Sequence, residues 1–195
     1  TSYLVLRGRC RYCHSKIPVR GFFIEIFGGL SGVFCFYRFG FEYETVLMFV
    51  IAMILLAITM IDFDTMIIPD GLNIAMFLVC LVLMFVRQMS LVDSIIGMFC
   101  ISLPMFLLNL VIPDSFGGGD IKLMFASGIA LGWKYSLLAA FIGILIAGIY
   151  CIYLILTKKV DKKGHIAFGP YLSIGIFIAL CYGYEIVSWY LNLLM

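Results

Sequence analysis

Charge is what this sequence has little of. Only 12% of its 195 residues are Asp, Glu, Lys or Arg, while 64% are hydrophobic. A soluble domain is about a quarter charged and roughly half apolar. The shortfall excludes an ordinary water-soluble domain, because one core of this size cannot hide so much apolar surface. Lipid must be the solvent for much of it, and a mean hydropathy of +1.15 agrees. Internal repeats, linkers and low-complexity tracts are absent as well. So is a Gly-x-Gly-x-x-Gly fingerprint, which leaves no visible soluble nucleotide-binding fold. The chain opens at Thr1 without the charged and apolar regions of a signal peptide, and its start reads as a fragment or a processed end. With a net charge of only +2, no nucleic-acid partner is expected.

The apolar runs predict an all-α, polytopic membrane helix bundle. They cover residues 18–38, 43–61, 70–87, 93–112, 120–132, 135–157 and 168–194, the last tilted or broken near Gly183. The run at 120–132 is too short to span. Thirteen helical residues cover about 20 Å against a hydrocarbon core of about 30 Å. A half-length helix led by glycines points to a helix that starts inside a cavity, where irregular backbone is tolerated at membrane depth.

Orientation follows from Lys and Arg, which favour the cytoplasmic side. With the N-terminus in the cytoplasm, Arg7, Arg9, Arg11, Lys16, Arg20, Lys122, Lys158, Lys159, Lys162 and Lys163 lie on that side. Only Arg38, Arg87 and Lys134 lie on the other. The same assignment places Asp62 and Asp120 together at the cytoplasmic face.

Seven cysteines are present, and Cys35, Cys80, Cys100, Cys151 and Cys181 fall inside apolar runs. There they serve as small hydrophobes. Cys10 and Cys13 alone combine metal-like spacing with a polar setting.

Acids near membrane spans are rarely kept without use, since a charge in hydrocarbon costs about 2.5–3.5 kcal/mol on insertion scales. Glu42, Glu44 and Asp161 read as solvated loop residues, Asp93 as a helix-start acid, and Asp114 as part of a turn after Pro113. Glu25 and Glu185 have no assigned role. Two clusters remain, Asp62-Phe63-Asp64-Thr65-Met66-Ile67-Ile68-Pro69-Asp70 and Gly117-Gly118-Gly119-Asp120-Ile121-Lys122. Each has a bland reading. Asp70 would be the N-cap of the next helix, and Asp120 would cap the short one. Together, two carboxylates at one face can share a proton, giving a general base for water and a general acid for a leaving amide. Neither a nucleophilic Ser or Cys nor a catalytic metal is required. Three glycines in a row remove bulk beside Asp120, so a substrate backbone can approach it over Gly117, Gly118 and Gly119.

These residues resemble the type IV prepilin peptidases, membrane aspartic proteases marked by Gly-x-Gly-Asp. Gly117-Gly118-Gly119-Asp120 matches that motif, with Lys122-Leu123 following. The segment Asp62 to Asp70 is similar to the family's first motif, whose catalytic aspartate falls seven residues before the proline, at Asp62; Asp64 is its rival. Leu6 to Cys13 with Ile17-Pro18 resembles the family's cytoplasmic segment, and Phe168-Gly169-Pro170-Tyr171-Leu172 the start of its last span. The likeness covers nearly the whole chain.

The resemblance implies an intramembrane aspartyl protease fold of the presenilin-like kind with one extra N-terminal span. Its parts would be a basic segment at 1–17, an accessory span at 18–42 and a six-helix peptidase core at 43–195. It implies a prepilin or pseudopilin substrate, a basic leader followed by a hydrophobic helix, cut at the cytoplasmic face of the bacterial inner membrane for type IV pili and protein secretion. It also implies a second activity, N-methylation of the new N-terminus with S-adenosylmethionine. Here the chain departs from the family pattern. Four thiolates would make a tetrahedral zinc site, but only Cys10 and Cys13 are present, with His14 adjacent. Zinc there needs ligands from upstream. The oligomeric state is left open.

Other classes fit the same residues less well. A transporter using intramembrane aspartates would favour matching broken spans in two halves, and the glycine break before Asp120 has no counterpart. An archaeal preflagellin peptidase would share the chemistry, but the basic Cys-x-x-Cys segment favours the bacterial kind.

Overall fold

Nearly unbroken apolar sequence leaves the backbone one economical solution in lipid, the helix, which satisfies its own hydrogen bonds. In the computed structural model, which describes residues 19–113, 115–157 and 167–194, all the secondary structure is helical. The helices are α1 (Val19–Phe39), α2 (Tyr43–Thr65), α3 (Asp70–Val86), α4 (Leu91–Val111), α5 (Gly118–Leu156) and α6 (Gly169–Leu194). All but α3 are long and apolar enough to cross a membrane, and α3 is a shorter apolar helix of 17 residues.

The seven expected apolar runs appear as six helices because the short fifth run and the sixth, two helices that meet at a kink, are counted together as α5. The join is not smooth. Gly132 stands at φ 68°, ψ 178° inside it, a conformation essentially restricted to glycine. So α5 bends there into a half-length piece and a longer one. The expected break near Gly183 is not found, because α6 is continuous through it. Gly183 is small for another reason. A Cβ on it would come within 2.7 Å of the Tyr135 ring, so the glycine admits a neighbour and does not interrupt the helix.

The chain divides between Phe49 and Val50 into two compact units, and the division falls inside α2. In the first unit, the Phe49 ring fills the space beside Gly32, where a Cβ would stand 3.3 Å from it. In the second, α5 packs against α4, α6 and α3. The α4–α5 crossing is close because Gly97 and Gly128 oppose each other, and a Cβ on either would run into the other's carbonyl oxygen. Small residues at such crossings let membrane helices gain dispersion energy where no water drives them together. The two pieces of α5 therefore sit centrally, and the shorter one carries Asp120 at its start.

Candidate active site

Asp62 lies in the last turns of α2, on the stripe Ile51, Leu55, Ile58, Asp62 that recurs at helical spacing and is buried throughout. It is 4% exposed, whereas Asp64, two residues on and so on another face, is exposed. The helix ends just beyond, where Met66 adopts a left-handed φ of 53° and its N–H returns to the Asp62 carbonyl at 2.9 Å. The Asp62 carboxylate is met by a different helix. The backbone N–H of Gly169, the first residue of α6, donates to Oδ2 at 3.0 Å. First-turn N–H groups have no partner within their own helix and favour an anion. A glycine lets the carboxylate sit this close, since a Cβ would stand 2.7 Å from the same oxygen and push it aside.

Asp120 is the third residue of α5. It does not cap the helix. Gly117 holds the N-cap position without a side-chain bond, and the Asp120 N–H donates back to the Gly117 carbonyl at 3.0 Å. The side chain is 6% exposed, and its Oδ1 has no hydrogen-bond partner among the described residues. The two carboxylates lie within electrostatic range of each other. Ile68, 6% exposed, links their surroundings. A Cβ on Gly119 would come 2.7 Å from the Ile68 Cβ, and one on Gly169 would come 3.2 Å from its Cδ1. The three glycines differ in what they face. Gly117 lies against the Asp120 Oδ2, which would be 2.9 Å from an added Cβ. Gly119 lies against Ile68, while Gly118 faces open space.

Asp70 is not the N-cap of α3 either. Pro69 occupies that position, with an extended ψ of 134°, and Asp70 is the first helical residue. Proline suits a helix start because its missing N–H is not needed. Asp70 instead pairs with Lys122 at 2.6 Å, so Lys122 reaches across to α3 and not to the aspartate pair. Asn73, which the sequence did not single out, donates from Nδ2 to the Gly119 carbonyl at 3.4 Å. Asp70, Asn73, Phe77, Lys122 and Phe125 line a cleft of about 370 Å³ beside this contact. The signal for Asn73 was a polar residue on an apolar helix face, but its partner lies far along the chain.

Cys10 and Cys13 lie outside the described residues. Among the described residues, no group of three or more His, Cys, Asp or Glu side chains could hold a metal ion. Cys35, Cys80 and Cys181 are buried and form no disulfide, and Cys100 and Cys151 are half-buried and form none either. The described residues therefore offer zinc no fit.

Comparison with known proteins bears on the same residues. Residues 49–152 match the type IV leader peptidase family, and residues 1–39 match the bacterial peptidase A24 N-terminal domain. A prepilin leader peptidase/N-methyltransferase of Aeromonas salmonicida is 32% identical over 200 residues, covering 100% of this chain and 69% of the relative. The protein of that name in Aeromonas hydrophila is 33% identical over 197 residues, covering 98% and 68%. In Neisseria gonorrhoeae the figures are 29% over 200 residues, with 98% and 68% covered. No solved structure matches the chain.

Proposed function

The chain belongs to the type IV leader peptidase family, and from that membership we propose that it cleaves the leader from prepilins or pseudopilins with Asp62 and Asp120 as its catalytic pair. It is a multi-pass membrane peptidase. The observation that carries the assignment is the burial of two carboxylates at the ends of separate helices, within electrostatic range, with no ion pair to either among the described residues.

The chemistry needs only these groups and water. Two buried carboxylates within electrostatic range of each other favour holding one proton between them. One member takes a proton from a water molecule as its oxygen adds to the scissile carbonyl carbon. The other delivers a proton to the amide nitrogen as the C–N bond breaks. The pair then holds the same number of protons as before. The Gly169 N–H keeps Asp62 in place at one oxygen and leaves the other for water. Gly118, with open space beside it, is where a substrate backbone can approach most closely.

The placement of ten of the thirteen Lys and Arg residues supports a cytoplasmic active face in the bacterial inner membrane. The relatives' names carry a second activity, N-methylation. In this chain it would use S-adenosylmethionine on the newly freed N-terminus, and no described residue is assigned to it.

The test is leader removal in reconstituted membranes. The purified chain is mixed with a prepilin, and the shortened product is followed on a gel. Asp62→Asn and Asp120→Asn should each bring cutting to background, while Asp64→Asn retains it. Cutting by both Asn variants would dispose of the pair. Activity in Asp62→Asn with loss in Asp64→Asn would move the first aspartate by two residues.

A further inference from the structure

The inner face of α3 is a stripe of Asn73, Met76, Cys80, Leu83 and Met84. Four of the five are apolar, and the first is an amide that is 5% exposed. A leucine at its place would continue the stripe. Only half of the amide is used by the protein itself. Nδ2 donates to the Gly119 carbonyl, and Oδ1 is buried with no partner among the described residues. Burying an unpaired acceptor works against stability, so packing does not explain the residue.

Its one bond does. The Gly119 carbonyl belongs to the peptide unit that leads directly into Asp120, so holding that unit fixes the direction in which the Asp120 side chain leaves the backbone. Two further contacts reach the same turn from the same stretch of chain. Ile68 abuts Gly119, and Asp70 pairs with Lys122. All three come from residues 68–73, which follow directly on the helix end that carries Asp62. Ile68 and Asp70 press and tether, but Asn73 alone gives a directed bond to the backbone beside Asp120. At 3.4 Å the bond is long. Such contacts often tighten when substrate is bound.

We propose that Asn73 is a positioning residue for Asp120, registering the start of α5 against the segment that follows Asp62 through its bond to the Gly119 carbonyl. The inference rests on Asp62 and Asp120 being the reacting pair. Asn73 touches no reacting atom, so its removal acts on the rate of the chemical step and not on substrate affinity.

The experiment measures kcat, KM and thermal midpoint for the full chain in lipid with a synthetic prepilin. Asn73→Leu keeps the size and loses the donor. It should lower kcat by about tenfold to a hundredfold with KM within about twofold, and its thermal midpoint should equal or exceed the parent's. Asn73→Gln keeps an amide donor and should recover part of the lost kcat. If Asn73→Leu fails to fold, Asn73→Ser is read by the same split. Full kcat in the Leu variant overturns the inference. So does a parallel fall of kcat and thermal midpoint in which Gln does no better than Leu, because that is the signature of a packing residue. Asp120→Asn is run alongside. If it still cuts, the aspartate pair itself is refuted. If it is dead beside a fully active Asn73→Leu, only the positioning role falls.

Discussion

Residues 118–131, the first piece of α5, meet a carboxylate at each end, and the two ends are built on opposite plans. At the start, Asp120 is 6% exposed, faces Asp62, and has an oxygen without a partner among the described residues. At the finish, Asp93 from the first turn of α4 lies against Gly132, half-buried. Around Tyr135 there, Asp93 shares the field with Arg87, Glu185 and Tyr184, and Arg87 also donates to the Leu180 carbonyl at 3.1 Å. The acid at the finish sits in a polar neighbourhood that includes a cation, the one around Tyr135. The buried pair at the start is given backbone N–H contact but no cation among the described residues, although Lys122 is two residues away, because Lys122 is committed to Asp70. Keeping cations off a carboxylate pair preserves its ability to exchange a proton, which is what general acid–base work needs.

The sharpest way to break this contrast is Gly119→Ala. The new methyl would stand 2.7 Å from the Ile68 Cβ. Both atoms are fixed to their backbones, so the start of α5 must move. A displacement approaching 1 Å at a reacting group costs about a hundredfold in rate. We expect kcat to fall by that order in the leader-cutting assay, with the protein still folded. Gly118→Ala is the paired control, because nothing lies within 4 Å of its added methyl. It should leave kcat alone and raise KM, since any obstruction falls on the approaching substrate. If both variants behave alike, the glycines act as one flexible loop and not as separate contacts.

Gly132→Ala probes the other end. At φ 68° and ψ 178° an alanine is strained by about 1–3 kcal/mol. Its methyl would also meet the Asp93 carboxylate, which can swing aside more easily than backbone. The expected outcome is a lower thermal midpoint in detergent with kcat per folded molecule nearly intact. A loss of kcat at an unchanged midpoint would show that the bend is coupled to Asp120, and the two ends would no longer be separable.

The sequence carried the helices well for a physical reason, since apolar length is a composition signal and needs no knowledge of partners. The runs at 43–61 and 93–112 differ from α2 and α4 by a few residues at their ends. The gap read after residue 132 is the bend at Gly132, visible because thirteen residues cannot span. What composition could not supply was phase. In α2 almost every position is apolar, so the buried stripe through Ile51, Leu55 and Ile58 cannot be picked out by eye, and with it the difference in burial between Asp62 and Asp64. Contacts between distant segments were invisible for the same reason. The bond from Gly169 to Asp62, the wedge of Ile68, and the bond from Asn73 to Gly119 all join residues that nothing local connects. Asp70 shows the opposite error, where a local rule offered a cap and a distant lysine took the carboxylate instead.

That pair gives the smallest effect and the cleanest separation of tethering from chemistry. The Asp70 and Lys122 side chains are 68% and 57% exposed, and an exposed ion pair stabilises by about 0.2–1 kcal/mol. Lys122→Met and Asp70→Asn should therefore each lower the thermal midpoint slightly, and less at high salt, where exposed charges are screened. Exchanging the two, Asp70→Lys with Lys122→Asp, restores the attraction with its sign pattern reversed. If the pair only tethers, the exchanged protein should regain both the midpoint and the cutting rate. If Lys122 acts on the aspartates directly, the exchange places a third carboxylate two residues from Asp120, and the rate should fall further even as the midpoint recovers.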